Sequence, residues 1–105
     1  MIGSNVHTKI KRTVESFLPG AKILLFGSQA RGDNNQGSDY DLLIITKEKY
    51  SSKDKINLRT QIGNNLENLI RAPFDVLMGD ENEIEMKKAL PGHIFRTAMR
   101  EGIYL

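Results

Sequence analysis

Three short apolar stretches constrain what this chain can build: Ile-Leu-Leu-Phe at 23–26, Leu-Leu-Ile-Ile at 42–45, and Pro-Phe-Asp-Val-Leu-Met at 73–78. Each has strand length, and the first and third stop at the turn formers Gly27 and Gly79-Asp80, so each reads as a buried strand. The second strand spans residues 40–46, and its unbroken apolar run calls for burial on both faces.

The segments between them have helical period. Val6, Ile10, Val14 and Phe17-Leu18 recur at helical spacing, with Ser4 or Asn5 as the expected cap and Pro19-Gly20 as the stop. Ser51 with Asp54 forms a capping pair, and the helix it opens carries Leu58, Ile62, Leu66, Leu69 and Ile70 as far as about Arg71. Residues 28–31 read as one helical turn and 32–38 as a loop. After the third strand, residues 81–90 and 92–100 read as two short helices split at Pro91-Gly92, with Ile103-Tyr104-Leu105 as a fourth strand or a docked end. The expected fold is α/β (α+β), a small mixed sheet of three or four strands flanked by helices in the order α-β-α-β-α-β-α. At 105 residues, the chain is expected to form one domain over 1–105.

Composition excludes several classes of function. With 39% hydrophobic and 27% charged residues the chain is an ordinary globule, not a disordered tail. It has no cysteine, which removes disulfides, thiolate zinc sites and a thiol nucleophile. No apolar stretch approaches the roughly 20 residues that cross a bilayer, and the first residues lack a signal peptide's apolar core, so a cytoplasmic protein is expected. A net charge of +2 does not announce a nucleic-acid binder, and direct nucleic-acid binding is not expected. Lys47, Lys49, Lys53 and Lys55 read as a solvated entry to a helix. His7 and His93 stand apart from each other and suggest no zinc site.

Three features carry chemistry. Gly27-Ser28 leaves a buried strand and opens a helical turn, where the backbone can approach a phosphate and free N–H groups attract anions. In Asp39-Tyr40-Asp41 the two acids are two residues apart on a strand, so they share a face and repel unless a cation lies between them. Asp39 could instead cap a turn, and Asp41 could pair with Arg31. Asp75 interrupts an apolar run, where a carboxylate is costly unless it binds metal or is paired, for example with Arg59 or Arg71. If Gly27 and Asp39 serve one site, the first two strands are antiparallel. With Asp75 beside them the third is parallel to the second, and residues 52–71 supply the crossover helix. Such an oxygen-rich set suits magnesium, which takes one or two carboxylates plus substrate phosphates, and two such ions can act together at phosphorus.

The string Phe26-Gly27-Ser28-Gln29-Ala30-Arg31-Gly32, followed by Ser38-Asp39-Tyr40-Asp41-Leu42, resembles the signature of the DNA polymerase β-like nucleotidyltransferase superfamily. That signature is Gly-Ser, ten residues (here 29–38), then Asp-x-Asp. The surrounding residues resemble the small group called minimal nucleotidyltransferases. The resemblance implies the nucleotidyltransferase fold and transfer of a nucleoside monophosphate, AMP from ATP or another NTP, with release of pyrophosphate. It implies that Asp39, Asp41 and Asp75 are catalytic and hold two Mg²⁺ ions, and that Gly27 and Ser28 hold the triphosphate. Arg31 would contact phosphate or fasten Asp41.

Larger relatives carry a separate acceptor domain, for which residues 79–105 are too few, so a partner or a second subunit must supply the acceptor. The family habit implies an antitoxin that modifies a HEPN-domain toxin. Two alternatives stay open: a nucleotide-binding module acting by sterics alone, and nucleotidylation of a small molecule or RNA through a partner subunit. Ile94, Phe95, Met99 and Tyr104 either form a partner surface or close the core.

Overall fold

The computed structural model describes residues 2–32 and 39–105, with side chains described from Asn5 onward. The loop expected over 32–38 lies outside the described residues except for Gly32. The chain runs α1 (Ile2–Phe17), β1 (Lys22–Phe26), α2 (Ser28–Arg31), β2 (Tyr40–Thr46), α3 (Ser52–Ile70), β3 (Phe74–Asp80), α4 (Glu81–Lys87), α5 (Ile94–Glu101) and β4 (Ile103–Tyr104). The sheet order is β3-β2-β1-β4. β1 and β2 are antiparallel, β2 and β3 are parallel with α3 as the crossover, and β4 adds antiparallel to β1. The directions argued from the shared site are those observed.

Local chemistry explains most boundaries. Ser51 caps α3, its hydroxyl accepting from the Asp54 N–H at 3.1 Å. At its other end Arg71 takes a left-handed conformation with φ 64° and returns its N–H to the Glu67 carbonyl. His93 caps α5 through Nδ1, which accepts from the Phe95 N–H at 3.0 Å and makes this histidine a helix-end residue. Two boundaries differ from expectation. α1 already includes Ser4 and Asn5, because the first N–H groups of a helix need no intrahelical partner and a polar residue there costs little. β3 continues through Gly79 and Asp80, because its ladder with β2 runs on to Thr46 opposite Asp80.

Alternation along the strands sends side chains to two cores. Ile23 and Leu25, Leu42 and Ile44, Val76 and Met78 meet α1 and α3 through Ile10, Val14, Ile62 and Leu66. On the other face Leu24, Phe26, Leu43 and Ile45 meet the short helices through Ile84, Phe95 and Ala98. At about 1.5–3 kcal/mol per fully buried aliphatic side chain, these two layers dominate the stability. Phe95 and Met99 thus close the core, whereas Ile94 and Tyr104 are exposed. Among the described residues no helix is long and apolar enough to cross a membrane.

The edge strand β3 is sealed by α3. Its outward Phe74 N–H donates to Glu67 Oε2 at 3.0 Å, and its Val76 carbonyl accepts from Arg59 Nε at 2.7 Å. Phe74 also stacks on Tyr40, with ring centroids 4.8 Å apart.

Candidate functional site

The site begins where β1 runs out. Gly27 has φ 76° and ψ −157°, a region essentially restricted to glycine. Its carbonyl accepts from the N–H groups of Ala30 and Arg31, both at 3.1 Å, which winds α2 directly from the strand end. A Cβ built on Gly27 would collide with Asp41 Oδ2. The glycine is therefore required twice, by backbone conformation and by the carboxylate against it.

The register sets the acids. Phe26 stands opposite Asp41, and Asp41 stands opposite Asp75 on β3. Neighbouring strands lie about 5 Å apart, so the two carboxylates are direct lateral neighbours. Asp39 precedes Asp41 by two residues and joins the same face. That face continues inward as Leu43 and Ile45, under α4 and α5. Burial, then repulsion from Asp75 and Asp39, pushes the Asp41 carboxyl above its ordinary value; Arg31 opposes this and Glu101 adds to it.

Asp75 departs from expectation in one respect. It was expected in the middle of a buried strand, yet it is exposed, because β3 is an edge strand and Asp75 lies near its start. Among the described residues none forms an ion pair with it, and Arg59 turns instead to the Val76 carbonyl. A groove of about 370 Å³ between α3 and β3 adjoins it, lined in part by Arg59, Thr60, Asn64 and Phe74.

Arg31 lies one helical turn beyond Gly27. Its Nη1 donates to Glu101 Oε1 at 3.1 Å, and the same oxygen accepts from the Gly27 N–H at 3.2 Å. Glu101 is the residue that sequence reasoning missed. It ends α5, and Gly102 behind it lets the helix pack tightly on β1: a Cβ there would lie 2.5 Å from the Ala98 carbonyl oxygen and 2.7 Å from Leu24 Cδ2. Glu101-Gly102 at a helix end was the one signal available, and it named no partner.

Among the described residues no three acidic or histidine side chains already form a metal cage. The donor set nonetheless fits magnesium, which needs only one or two carboxylates when substrate phosphates complete its shell. Repulsion among these acids adds to burial in lifting Asp41, and a bound cation would relieve it.

The profile of the nucleotidyltransferase domain family matches residues 7–105. A stretch of 34 residues is 50% identical to a candidate protein adenylyltransferase of Methanocaldococcus jannaschii, covering 32% of this chain and 34% of that protein. A toxin–antitoxin structure with AMP-PNP is similar over 92% of this chain and 69% of its own, with a TM-score of 0.67 at 17% identity. The complex of a tri-AMPylated Shewanella oneidensis HEPN toxin with an MNT antitoxin is similar over 97% of this chain and 70% of its own, with a TM-score of 0.64 at 14% identity. A candidate minimal nucleotidyltransferase gives a TM-score of 0.59 at 24% identity, over 98% of this chain and 88% of its own. At these identities the structural likeness is one of fold.

Proposed function

The chain belongs to the nucleotidyltransferase domain family, and on that footing we propose that residues 1–105 act as one catalytic domain transferring AMP from ATP to a hydroxyl group of a partner protein. The observation that carries this reading is the contact of the glycine turn with the acids: Asp41 abuts Gly27, with Asp75 beside it and Asp39 on the same face. A triphosphate held at the Gly27-Ser28 turn would lie against these carboxylates, because Asp41 adjoins the turn. Asp39, Asp41 and Asp75 would hold Mg²⁺, two ions in the full site. When bound, the metal would supply charge neutralisation on the phosphate oxygens.

The chain's own part is positioning. The turn fixes the phosphates, and the carboxylates on two adjacent strands are preorganised by the β ladder. Asp75, exposed beside the groove, accepts the proton of the attacking hydroxyl. One O–P bond forms to the α-phosphorus, the bond to the β-phosphate bridge breaks, and pyrophosphate leaves. The acceptor we propose is a HEPN-domain toxin in the cytoplasm, with this chain as its antitoxin. Support comes from the fold shared with a toxin–antitoxin structure holding AMP-PNP and with the complex of an AMPylated HEPN toxin and an MNT antitoxin.

The test is transfer of label. Co-expressed partner protein, isolated with this chain, is incubated with Mg²⁺ and ATP labelled at the α- or the γ-phosphate. Label from the α-position alone should reach the partner, and Asp39→Asn with Asp41→Asn should abolish it. A double variant that still neutralises the partner, with no transfer by the wild type, would establish the purely steric module instead.

A further inference from the structure

One oxygen of Glu101 occupies two donors that face the triphosphate in the reading above. Oε1 accepts from the Gly27 N–H at 3.2 Å and from Arg31 Nη1 at 3.1 Å. A carboxylate held by a backbone N–H and a guanidinium is bonded as a phosphate oxygen would be. It comes from a helix 74 residues away in sequence, and the tight packing at Gly102 anchors its backbone. The Glu101 side chain is 31% exposed and Arg31 49%, so the pair is accessible and can open without unfolding the core.

We propose that Glu101 is an internal stand-in for phosphate: it holds the nucleotide turn closed in the free protein and must leave when a nucleotide binds. The inference rests on the Gly27-Ser28 turn being the nucleotide site. Two anions cannot share the Gly27 N–H, so nucleotide binding and the Glu101 contact are mutually exclusive. Linkage follows. Nucleotide binding removes one tie between the end of α5 and β1 and so loosens the adjoining β4, whose ladder among the described residues is the short one from Ile103 and Tyr104 to Leu25 and Leu24. Occupancy of the site is thereby reported at the exposed side chains Ile103 and Tyr104 on the far edge of the sheet.

Glu101→Gln keeps the shape and removes the charge. If the closed turn is populated about 80% of the time, apparent affinity is lowered about fivefold, and the variant recovers that factor. The measurement is titration of the full chain with Mg²⁺-ATP, and separately with inorganic pyrophosphate, by calorimetry. Tighter binding of both by Glu101→Gln supports the proposal. Unchanged or weaker binding overturns it while leaving the nucleotide reading intact; no binding by the wild type overturns both. Because the substitution could also loosen α5, amide hydrogen exchange on the wild type gives an independent reading. Saturating Mg²⁺-ATP should speed exchange in residues 101–105, and unchanged or slower exchange there rejects the release of Glu101.

Discussion

Asp41 Oδ2 lies where a side chain on residue 27 would begin, so the turn that ends β1 and the acid on β2 occupy adjoining space with none to spare. Gly27→Ala therefore meets two penalties, a glycine-only backbone conformation and a displaced carboxylate. The backbone part alone costs about 1–3 kcal/mol. Urea unfolding should show a loss of at least that size, and nucleotide affinity should fall below detection. Gly20→Ala, at φ 82° but with nothing within 4 Å, should keep wild-type affinity.

Asp41 has the like charges of Asp75 and Asp39 beside it, which Arg31 offsets only in part. Asp41→Asn removes that repulsion along with a proposed ligand. In buffer without divalent ions the variant should melt higher than the wild type, by up to about 5 °C for a domain of this size. Mg²⁺ with ATP should raise the melting temperature of the wild type and not of the variant. Thermal scans with and without the pair decide both halves.

Glu83 is predicted to contribute to stability only above the acid range. Burial pushes its carboxyl up, but hydrogen bonds from Lys87 Nζ at 2.6 Å and Lys55 Nζ at 3.2 Å outweigh it and hold the group below its ordinary value. A depressed folded pKa stabilises above the unfolded value, and the benefit disappears as pH falls through the folded one. Glu83→Gln should cost about 1 kcal/mol near neutral pH, and the difference should shrink towards zero as the solution is acidified. Urea midpoints across that range give the curve.

The sealed edge of β3 makes a prediction about association. Arg59→Ala with Glu67→Ala exposes the Val76 carbonyl and the Phe74 N–H, leaving an open strand edge. The double variant should self-associate with rising concentration in sedimentation velocity, at conditions where the wild type does not change. Each single variant leaves one outward group covered and should lie between.

What could be read beforehand was what is written locally. The unbroken apolar run of β2 and the Ser51 cap with its 3.6-residue stripe needed no tertiary information, and both elements formed where expected. Strand directions followed from requiring Gly27, Asp39 and Asp75 to be neighbours. The exposure of Asp75 did not follow, because strand order decides which strand is an edge and no short pattern encodes order. Glu101 was invisible for a related reason: its significance is a contact across 74 residues, and on its own helix it is one more terminal acid. Arg31 illustrates the same limit: its ion pair with Glu101 joins residues 70 positions apart, and no local pattern announces it.

The long reach from Gly27 to Glu101 also sets a timetable. β1 and β2, whose pairing brings Gly27 against Asp41, are both available once residue 46 has left the ribosome. Residue 101 follows only several seconds later, at roughly 5–20 residues per second. Through that interval the Gly27 N–H and Arg31 lack the Glu101 carboxylate that joins them in the finished fold. If the turn is the nucleotide site proposed above, ATP present during synthesis would meet it before Glu101 does, and so act as a folding ligand before it acts as a substrate.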